Sequence, residues 1–542
     1  MLATTSRRLC SLHPFGQSQR LLSSWASVDP SALTGSNPGQ AYNLVNGEWG
    51  LPAESKTIPD PLNGEPFIKL PDTQLDEIDP FVQSLRAVPK SGLHNPLKNS
   101  ERYNMYGAVI AKAAEEMRKP QVEDYFTKLV QRVAPKHDAQ ARAEVVVTRR
   151  FLENFSGDQV RFTARSFGVA GDHAGQMSTG MRWPYGPVGL ITPFNFPLEI
   201  PALQLIGAVI MGNKPLVHVD HRVSIVAEAF LRMLHHVGMP TTDADYVHGH
   251  GSVVNEILVR ARPRSTLFTG SQRVAEKLCA DLHGKVFLED AGFDWKVLGP
   301  DVSDPDYIAW VCDQDAYACS GQKCSAQSIL FQHSNWVKAG LEEKLAQRAA
   351  LRKLDDLSIG PVLTWTTDAM LAHVDKLLKI PGARVAFGGK PLEGHSIPDV
   401  YGAIQPTAVF VPLEQILKEE NFALVTTEVF GPVQVLTEYS DEQLQLVLEA
   451  LEKLEAHLTA AVVSNDPVFT QKVLANTVNG TTYAGIRART TGAPQNHWFG
   501  PAGDPRAAGI GTPEAIRLVW SCHREIITDV GPIPEGFQAT TS

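Results

Sequence analysis

Val188-Gly189-Leu190-Ile191-Thr192-Pro193-Phe194-Asn195-Phe196-Pro197-Leu198-Glu199-Ile200-Pro201 opens the longest apolar-looking stretch of the chain, which runs on to Gly212. Three prolines, an asparagine and a glutamate would leave backbone groups unpaired and a charge in lipid, so this is no membrane span. It reads instead as a buried strand, Val188–Ile191, followed by a proline-punctuated turn. Pro215–Val219, Asp245–His248, Ser265–Phe268 and Lys285–Leu288 repeat the strand pattern, with helical segments between several of them. That order is what a parallel sheet with crossover helices requires, and it predicts an α/β fold. A nucleotide-binding layer is the expectation, although no convincing G-x-G-x-x-G is present. Gly249-His250-Gly251 is either a weak substitute or a plain loop.

Upstream, Leu44–Pro71 alternates short apolar runs with Pro and Gly, as small strands joined by turns do. Glu101–Arg118 places Tyr106, Val109, Ile110, Ala113 and Met117 on one helical face, and Val122–Val133 and Asp138–Asn154 follow as further helices. Gly157–Gly180 reads as strands and a turn with little helix signal, an excursion from the domain around it. Downstream, Ile329–Phe331, Arg384–Phe387 and Ala408–Val411 read as strands. Helices are expected around Trp336–Ala349 and over Thr367–Lys379, and further segments extend to Val473. Gly480–Gly511, rich in Gly, Pro, Thr and Arg, is expected to be an irregular, exposed lid or anchoring loop.

The chain has 542 residues, 43% hydrophobic and 20% charged, which suits two or three globular domains. Its net charge of −10 argues against a nucleic-acid partner. Six scattered cysteines make no disulfide framework, and Cys319 and Cys324 lack zinc-pair spacing, so a reducing compartment and no metal are expected. Residues 1–28 carry Arg7, Arg8 and Arg20, many serines and no acidic residue before Asp29, the composition of an organelle transit peptide or of a plain disordered terminus. This segment is set apart from the fold.

Tyr317-Ala318-Cys319-Ser320-Gly321-Gln322-Lys323-Cys324-Ser325-Ala326-Gln327-Ser328 presents a cysteine in a run of small residues. Cys324 is the candidate nucleophile: a thiolate reacts where its surroundings lower its pKa and leave it reachable. A helix starting just after it would favour the anion through its N-terminal dipole. Alone, Cys324 reads as a small buried hydrophobe.

Several stretches in the same order resemble the NAD(P)-dependent aldehyde dehydrogenases, and among them the plant-type mitochondrial Δ1-pyrroline-5-carboxylate dehydrogenases. The resemblance covers nearly all of the chain after the leader. Gly186–Pro197 resembles the family's strand and turn bearing the oxyanion-hole amide, which makes Asn195 that residue and puts Thr192, Pro193 and Phe194 against the cofactor. Phe194 stands where many members have Trp. Phe268-Thr269-Gly270-Ser271 is similar to the turn at the cofactor pyrophosphate, where Gly270 permits close approach and Ser271 caps the following helix; read alone, this is an ordinary N-cap. Phe287-Leu288-Glu289-Asp290-Ala291-Gly292 sits where the family has Glu-Leu-Gly-Gly-Lys. Glu289 would be the general base, 35 positions before Cys324, although Asp290, Ala291 and Phe293 depart from the pattern. Thr427-Glu428-Val429-Phe430-Gly431-Pro432 resembles the segment in which Glu428 binds the nicotinamide ribose and Phe430 packs beside the ring. At the adenosine end, His218 and His221 replace the family's usual Lys and Glu, so Asp220 remains as a ribose acceptor and the choice between NAD and NADP stays open.

The resemblance also implies a substrate pocket from Phe196, Ser325, Gly492, Ala493 and Phe499. Ser325 would help to hold an α-carboxylate, and Thr490-Thr491-Gly492-Ala493 would supply anchoring N–H groups. The implied activity is NAD-dependent oxidation of L-glutamate γ-semialdehyde to L-glutamate through a cysteine thioester, in the mitochondrial matrix, by a homo-oligomer with a small-molecule substrate and no membrane. Another carboxylated aldehyde such as succinate semialdehyde, a Cys/Glu thioester hydrolase and a non-catalytic nucleotide-binding oligomer are the alternatives. The implied domains are a transit peptide over 1–28, an NAD-binding domain over 29–156 and 183–291, a catalytic domain over 292–495, and a β-strand oligomerisation flap with a C-terminal arm over 157–182 and 496–542.

Overall fold

A computed structural model describes residues 24–290, 292–492, 497–533, 535 and 537. Two seven-stranded sheets dominate it, and each takes its strands from one stretch of the chain. In the first, the order is Val286–Glu289, Ser265–Thr269, Pro187–Thr192, Lys214–Val219, Asp245–Tyr246, Asn43–Val45 and Glu48–Gly50. The first five are mutually parallel, and Asn43–Val45 with Glu48–Gly50 close the edge as an antiparallel hairpin. Pro187–Thr192 is buried at five of its six positions, as a strand covered by helices on both faces must be. The sequence's strand assignments hold here to within about two residues at the ends.

Register decides where this sheet offers a site. Thr192 pairs with Val219 and Thr269 with Glu289, so the carboxyl ends of four strands stand along one edge. Pro187–Thr192 comes first in the chain among the parallel strands, yet it lies between Lys214–Val219 on one side and Ser265–Thr269 on the other. The connection after Pro187–Thr192 leads to Lys214–Val219 on one side and that after Ser265–Thr269 leads to Val286–Glu289 on the other, which opens a crevice beyond their ends, the usual ligand position in an open α/β sheet.

The second sheet runs Arg384–Phe387, Thr407–Phe410, Val433–Tyr439, Gln327–His333, Asp294–Leu298, Thr459–Val463 and Thr481–Ala484, all parallel except the antiparallel edge strand Arg384–Phe387. Its apolar core gathers Trp295, Val297, Ile329, Phe331, Val409 and Val462. A small sheet orders Gly39–Gln40, Pro66–Pro71 and Ser55–Pro59, and a three-stranded antiparallel ribbon orders Ser521–Asp529, Gln176–Pro184 and Arg165–Ala170. Among the described residues no helix is long and apolar enough to cross a membrane.

Five local expectations change. Gly157–Gly180 contains a short helix, Gln159–Phe162, before its strands. The helix around Trp336–Ala349 is two, Ser334–Lys338 and Leu341–Ala349, because Gly340 takes φ +73° between them. Thr481–Ala484 joins the second sheet, so the stretch from Gly480 is not irregular throughout. Residues 498–520 return to the first layer. Leu288 N–H donates to Arg506 O, and Pro513–Trp520, capped by the Thr512 hydroxyl, packs Trp520 against Gly207. Finally, Trp25, Ala26 and Val28 are buried in the first core, Trp25 stacked on Phe126 with centroids 5.6 Å apart, so the folded region begins ahead of Asp29.

Candidate active site

Two cavities meet at one cysteine. The larger, about 800 Å³, lies beyond the carboxyl edge of the first sheet, and the smaller, about 320 Å³, lies against the helices Asp138–Asn154 and Glu199–Ile210. Cys324 and Ile200 are in the walls of both.

The loop that presents Cys324 is bent by three consecutive left-handed residues, Cys319 at φ 56°, Ser320 at φ 56° and Gly321 at φ 70°. For the first two this conformation costs energy, so the surroundings must hold it. The Ser320 hydroxyl donates to Gly360 O at 3.1 Å and accepts from Gly360 N at 2.8 Å. Gln322 Nε2 donates to Pro361 O at 3.0 Å, while its Oε1 accepts from Leu363 N at 2.8 Å. A Cβ on Gly321 would run into the backbone of Gly431, the loop that carries Glu428 and Phe430. The chain then enters the strand Gln327–His333 and not a helix, so no N-terminal dipole acts on Cys324.

Electrostatics hold the resting thiol neutral. Burial raises the Cys324 pKa well above its ordinary value, and the carboxyls of Glu289, Asp294 and Glu428 add to the effect. Glu289 ends the strand Val286–Glu289, and burial pushes its own carboxyl up to about 7, with the neighbouring Cys324 thiol pulling the other way and Asp290 adding to the rise. Glu428, facing the same space, is raised to about 8 by burial and then by Glu289 and Asp290. A thiol above its usual range beside a carboxyl near neutrality is a proton donor next to a proton acceptor.

Asn195 comes to this point through a buried ion pair. The Lys136 ammonium donates to Glu144 Oε2 at 3.0 Å and to Asn195 O at 2.7 Å, and Glu144 Oε1 accepts from Leu198 N at 2.8 Å and Glu199 N at 3.3 Å. Asn195 Oδ1 has no partner among the described residues. Thr192 Oγ1 and Thr269 Oγ1 are likewise buried and unpaired, and apart from the Cys324 thiol so are both Glu289 oxygens. All of these groups border the larger cavity. Since buried polar groups are nearly always satisfied, such a cluster marks a site shaped for a polar ligand.

The larger cavity collects every residue assigned to the cofactor from sequence. Thr192, Pro193, Phe194 and Phe430 form one region, with Phe194 edge-on to Phe430 at 5.7 Å between centroids. Gly270 and Ser271 line it where the helix Gln272–Asp281 begins. Ser271 occupies the N-cap position, but its hydroxyl makes no capping bond, so the expected cap is absent and both the hydroxyl and the first N–H groups of that helix are free for an anion. His218 and Asp220 line the far end. His218 Nδ1 lies 3.1 Å from Val247 O, which requires Nδ1–H and leaves Nε2 as an acceptor, and burial keeps the ring neutral by lowering its pKa. Asp220 is engaged by Arg222, which donates from N and from Nη1, both at 2.9 Å. A dinucleotide fits this donor set: an unpaired helix terminus for a pyrophosphate, acceptors for ribose hydroxyls and an aromatic pair. Gly249-His250-Gly251 takes no part; His250 merely caps Gly251–Ala261.

In the smaller cavity Phe196, Ser325, Gly492 and Phe499 come together as expected, while Ala493 lies outside the described residues. Phe499 is fixed by paired backbone bonds with Ile510, at 3.1 and 2.7 Å. Lys136, Glu144, Glu199 and Arg489 were not singled out from sequence. For Glu199 a signal existed, since it is the only charged residue between Arg182 and Lys214. Lys136 and Glu144 carry no such mark.

A family model described as aldehyde dehydrogenase family matches residues 52–506. The chain is 64% identical over 518 residues to a protein of Linum usitatissimum named "Probable aldehyde dehydrogenase", covering 96% of this chain and 94% of that one. It is 62% identical over 519 residues to delta-1-pyrroline-5-carboxylate dehydrogenase 12A1, mitochondrial, of Arabidopsis thaliana, covering 96% and 93%. Among solved structures, aldehyde dehydrogenase 21 from Physcomitrella patens in complex with the reaction product succinate superposes with a TM-score of 0.77 at 17% identity, over 92% of this chain and all of that one. PnpE in complex with nicotinamide adenine dinucleotide gives 0.79 at 18%, over 91% and 99%. The loop that presents Cys324, a strand-end carboxyl and a dinucleotide-shaped crevice thus meet in a chain that the family model matches over most of its length, and the chain belongs to the aldehyde dehydrogenase family.

Proposed function

We propose that this protein oxidises L-glutamate γ-semialdehyde, the open form of Δ1-pyrroline-5-carboxylate, to L-glutamate with NAD as oxidant. The observation that carries the reading is the position of Cys324, in the shared wall of a dinucleotide-shaped cavity and a smaller cavity rich in charged groups. The strong similarity to the Arabidopsis delta-1-pyrroline-5-carboxylate dehydrogenase supports the choice of substrate.

Glu289 takes the Cys324 proton, and the thiolate adds to the aldehyde carbon. The Asn195 side-chain amide and the Cys324 N–H hold the oxygen that becomes negative; losing one such donor typically costs about 3 kcal/mol. NAD, when bound in the larger cavity, supplies the hydride acceptor. Collapse of the thiohemiacetal expels hydride and leaves a thioester on Cys324. Glu289 gives the proton it took from Cys324 to solvent, then accepts one from water as the water oxygen attacks the thioester carbonyl, and returns it to the departing Cys324 sulfur, which releases the acid and restores the thiol. An aldehyde has no leaving group, and the covalent adduct is what makes its hydrogen transferable.

Ser325 and the backbone around Gly492 receive the α-carboxylate, and Phe196 and Phe499 flank the aliphatic chain. The first sheet with its flanking helices is the NAD-binding domain, the second sheet the catalytic domain. The ribbon of Arg165–Ala170, Gln176–Pro184 and Ser521–Asp529 is the oligomerisation flap of a homo-oligomer in the mitochondrial matrix. The test is NADH formation with Δ1-pyrroline-5-carboxylate, succinate semialdehyde and propanal, each with NAD and NADP. Preference for the first with NAD, abolished in Cys324→Ala, is expected; activity on the others alone discards the substrate and keeps the chemistry.

A further inference from the structure

Glu199 is a charged residue that the mechanism leaves unused. It begins the helix Glu199–Ile210, whose other residues are all buried, and it lines the smaller cavity with Cys324 and Phe196. Its backbone N–H is held by Glu144, but its carboxylate has no ion-pair partner among the described residues. The Lys136 ammonium is committed to Glu144 Oε2 and Asn195 O. Two carboxylates therefore lie near one buried ammonium, and it is bonded to Glu144. Burial and then Glu144 push the Glu199 carboxyl up to about 8, with Lys136 acting against them. A buried carboxyl in this condition gains from a second cation.

The same cavity is cationic on another part of its wall. Lys323 and Arg489 border it beside Ser325 and Gly492. Arg489 Nε donates to Asp315 Oδ1 at 2.9 Å, and the same carboxylate accepts from Lys296 Nζ at 2.8 Å and Thr490 N at 2.9 Å, so Asp315 answers several donors at once. A cavity with surplus positive charge in one place and a carboxyl lacking its own cation in another fits a zwitterion.

We propose that Glu199 is the counter-ion for the α-ammonium of an amino-acid semialdehyde, and so the residue by which the enzyme distinguishes such a substrate from a semialdehyde that carries only a carboxylate. The inference rests on the substrate reading given above and deepens it. A substrate ammonium draws Glu199 into its ionised form and supplies the missing cation. A semialdehyde that carries a carboxylate but no amino group leaves that site unanswered, and sites built for a polar group discriminate strongly against ligands that lack it.

The experiment is steady-state kinetics of the wild type and Glu199→Gln with glutamate semialdehyde and succinate semialdehyde. Competitive inhibition by glutamate and by glutarate, which differ by the amino group, accompanies it. Expected is a rise of about tenfold or more in KM for glutamate semialdehyde and in the inhibition constant of glutamate, with the succinate semialdehyde and glutarate values within about twofold. Wild-type enzyme that does not prefer glutamate semialdehyde overturns the substrate reading itself. Wild-type preference with equal losses on both semialdehydes in Glu199→Gln overturns the counter-ion alone. Should Glu199→Gln not fold, Glu199→Asp, which withdraws the charge by one methylene, decides: a selective rise in the glutamate constants supports the proposal and unchanged selectivity overturns it.

Discussion

Glu289 shows at the level of one residue how burial readies the proposed base and costs stability. Its pKa of about 7 is raised from the ordinary carboxyl value mainly by desolvation. The folded protein therefore binds this proton more tightly than the unfolded chain. The stability it contributes is full below about pH 4.5, falls as pH rises through 7 and is level above. Glu289→Gln removes that loss and should stabilise the protein at pH 8 by up to about 3 kcal/mol relative to wild type, with the difference vanishing near pH 4.5; urea unfolding at both pH values measures it. The same variant should form little NADH even in the first turnover, since on the proposed mechanism both the thiol and the attacking water lose their base. Steady turnover near wild type would mean that another group activates water.

At the scale of elements, the loop from Thr192 to Leu198 is held from outside itself. The strand before it and the helix after it fix its ends, but Asn195 and Leu198 are tied to Lys136 and Glu144, which stand just ahead of and within the helix Asp138–Asn154. Lys136 and Glu144 side chains are 2% and 0% exposed. Removing one partner of such a pair leaves a buried charge, so Lys136→Met should cost about 3–5 kcal/mol. It should also lower kcat with every aldehyde, because Asn195, the proposed oxyanion donor, loses its anchor. The double variant Lys136→Met/Glu144→Gln should recover much of the stability without the activity, as denaturant unfolding and kinetics on the same samples would show. Full recovery of activity would mean that the turn holds its own shape.

For the whole molecule the open question is what covers the ribbon. All six residues of Arg165–Ala170 are exposed, and Phe167, Val169, Met177 and Ile527 are large apolar side chains left in water on this one sheet. An exposed strand edge and an apolar surface together favour another chain. Phe167→Asp should lower the mass observed by sedimentation while leaving the far-UV circular dichroism unchanged. An unaltered mass would remove the ribbon from the assembly.

Much of this organisation was legible in the chain itself. The alternation of buried strands and helices from Val188 onward set the α/β fold, because strand and helix periods are local and parallel strands must be joined by crossovers. Cys324, Glu289, Asn195 and the residues proposed for the cofactor were named because short ordered motifs carried them, and the structure brings them to one cavity. The helix break at Gly340, the burial of Trp25 and the return of Pro513–Trp520 to the first core were not found, since each depends on distant contacts. Lys136, Glu144 and Glu199 belong with these: nothing local separates a buried lysine or glutamate from a solvated one. Sequence determined the elements and the candidate reacting groups, whose pattern is written along the chain; tertiary structure alone decided the electrostatics and the shape of the two cavities, because burial and charge pairing exist only between residues brought together by folding.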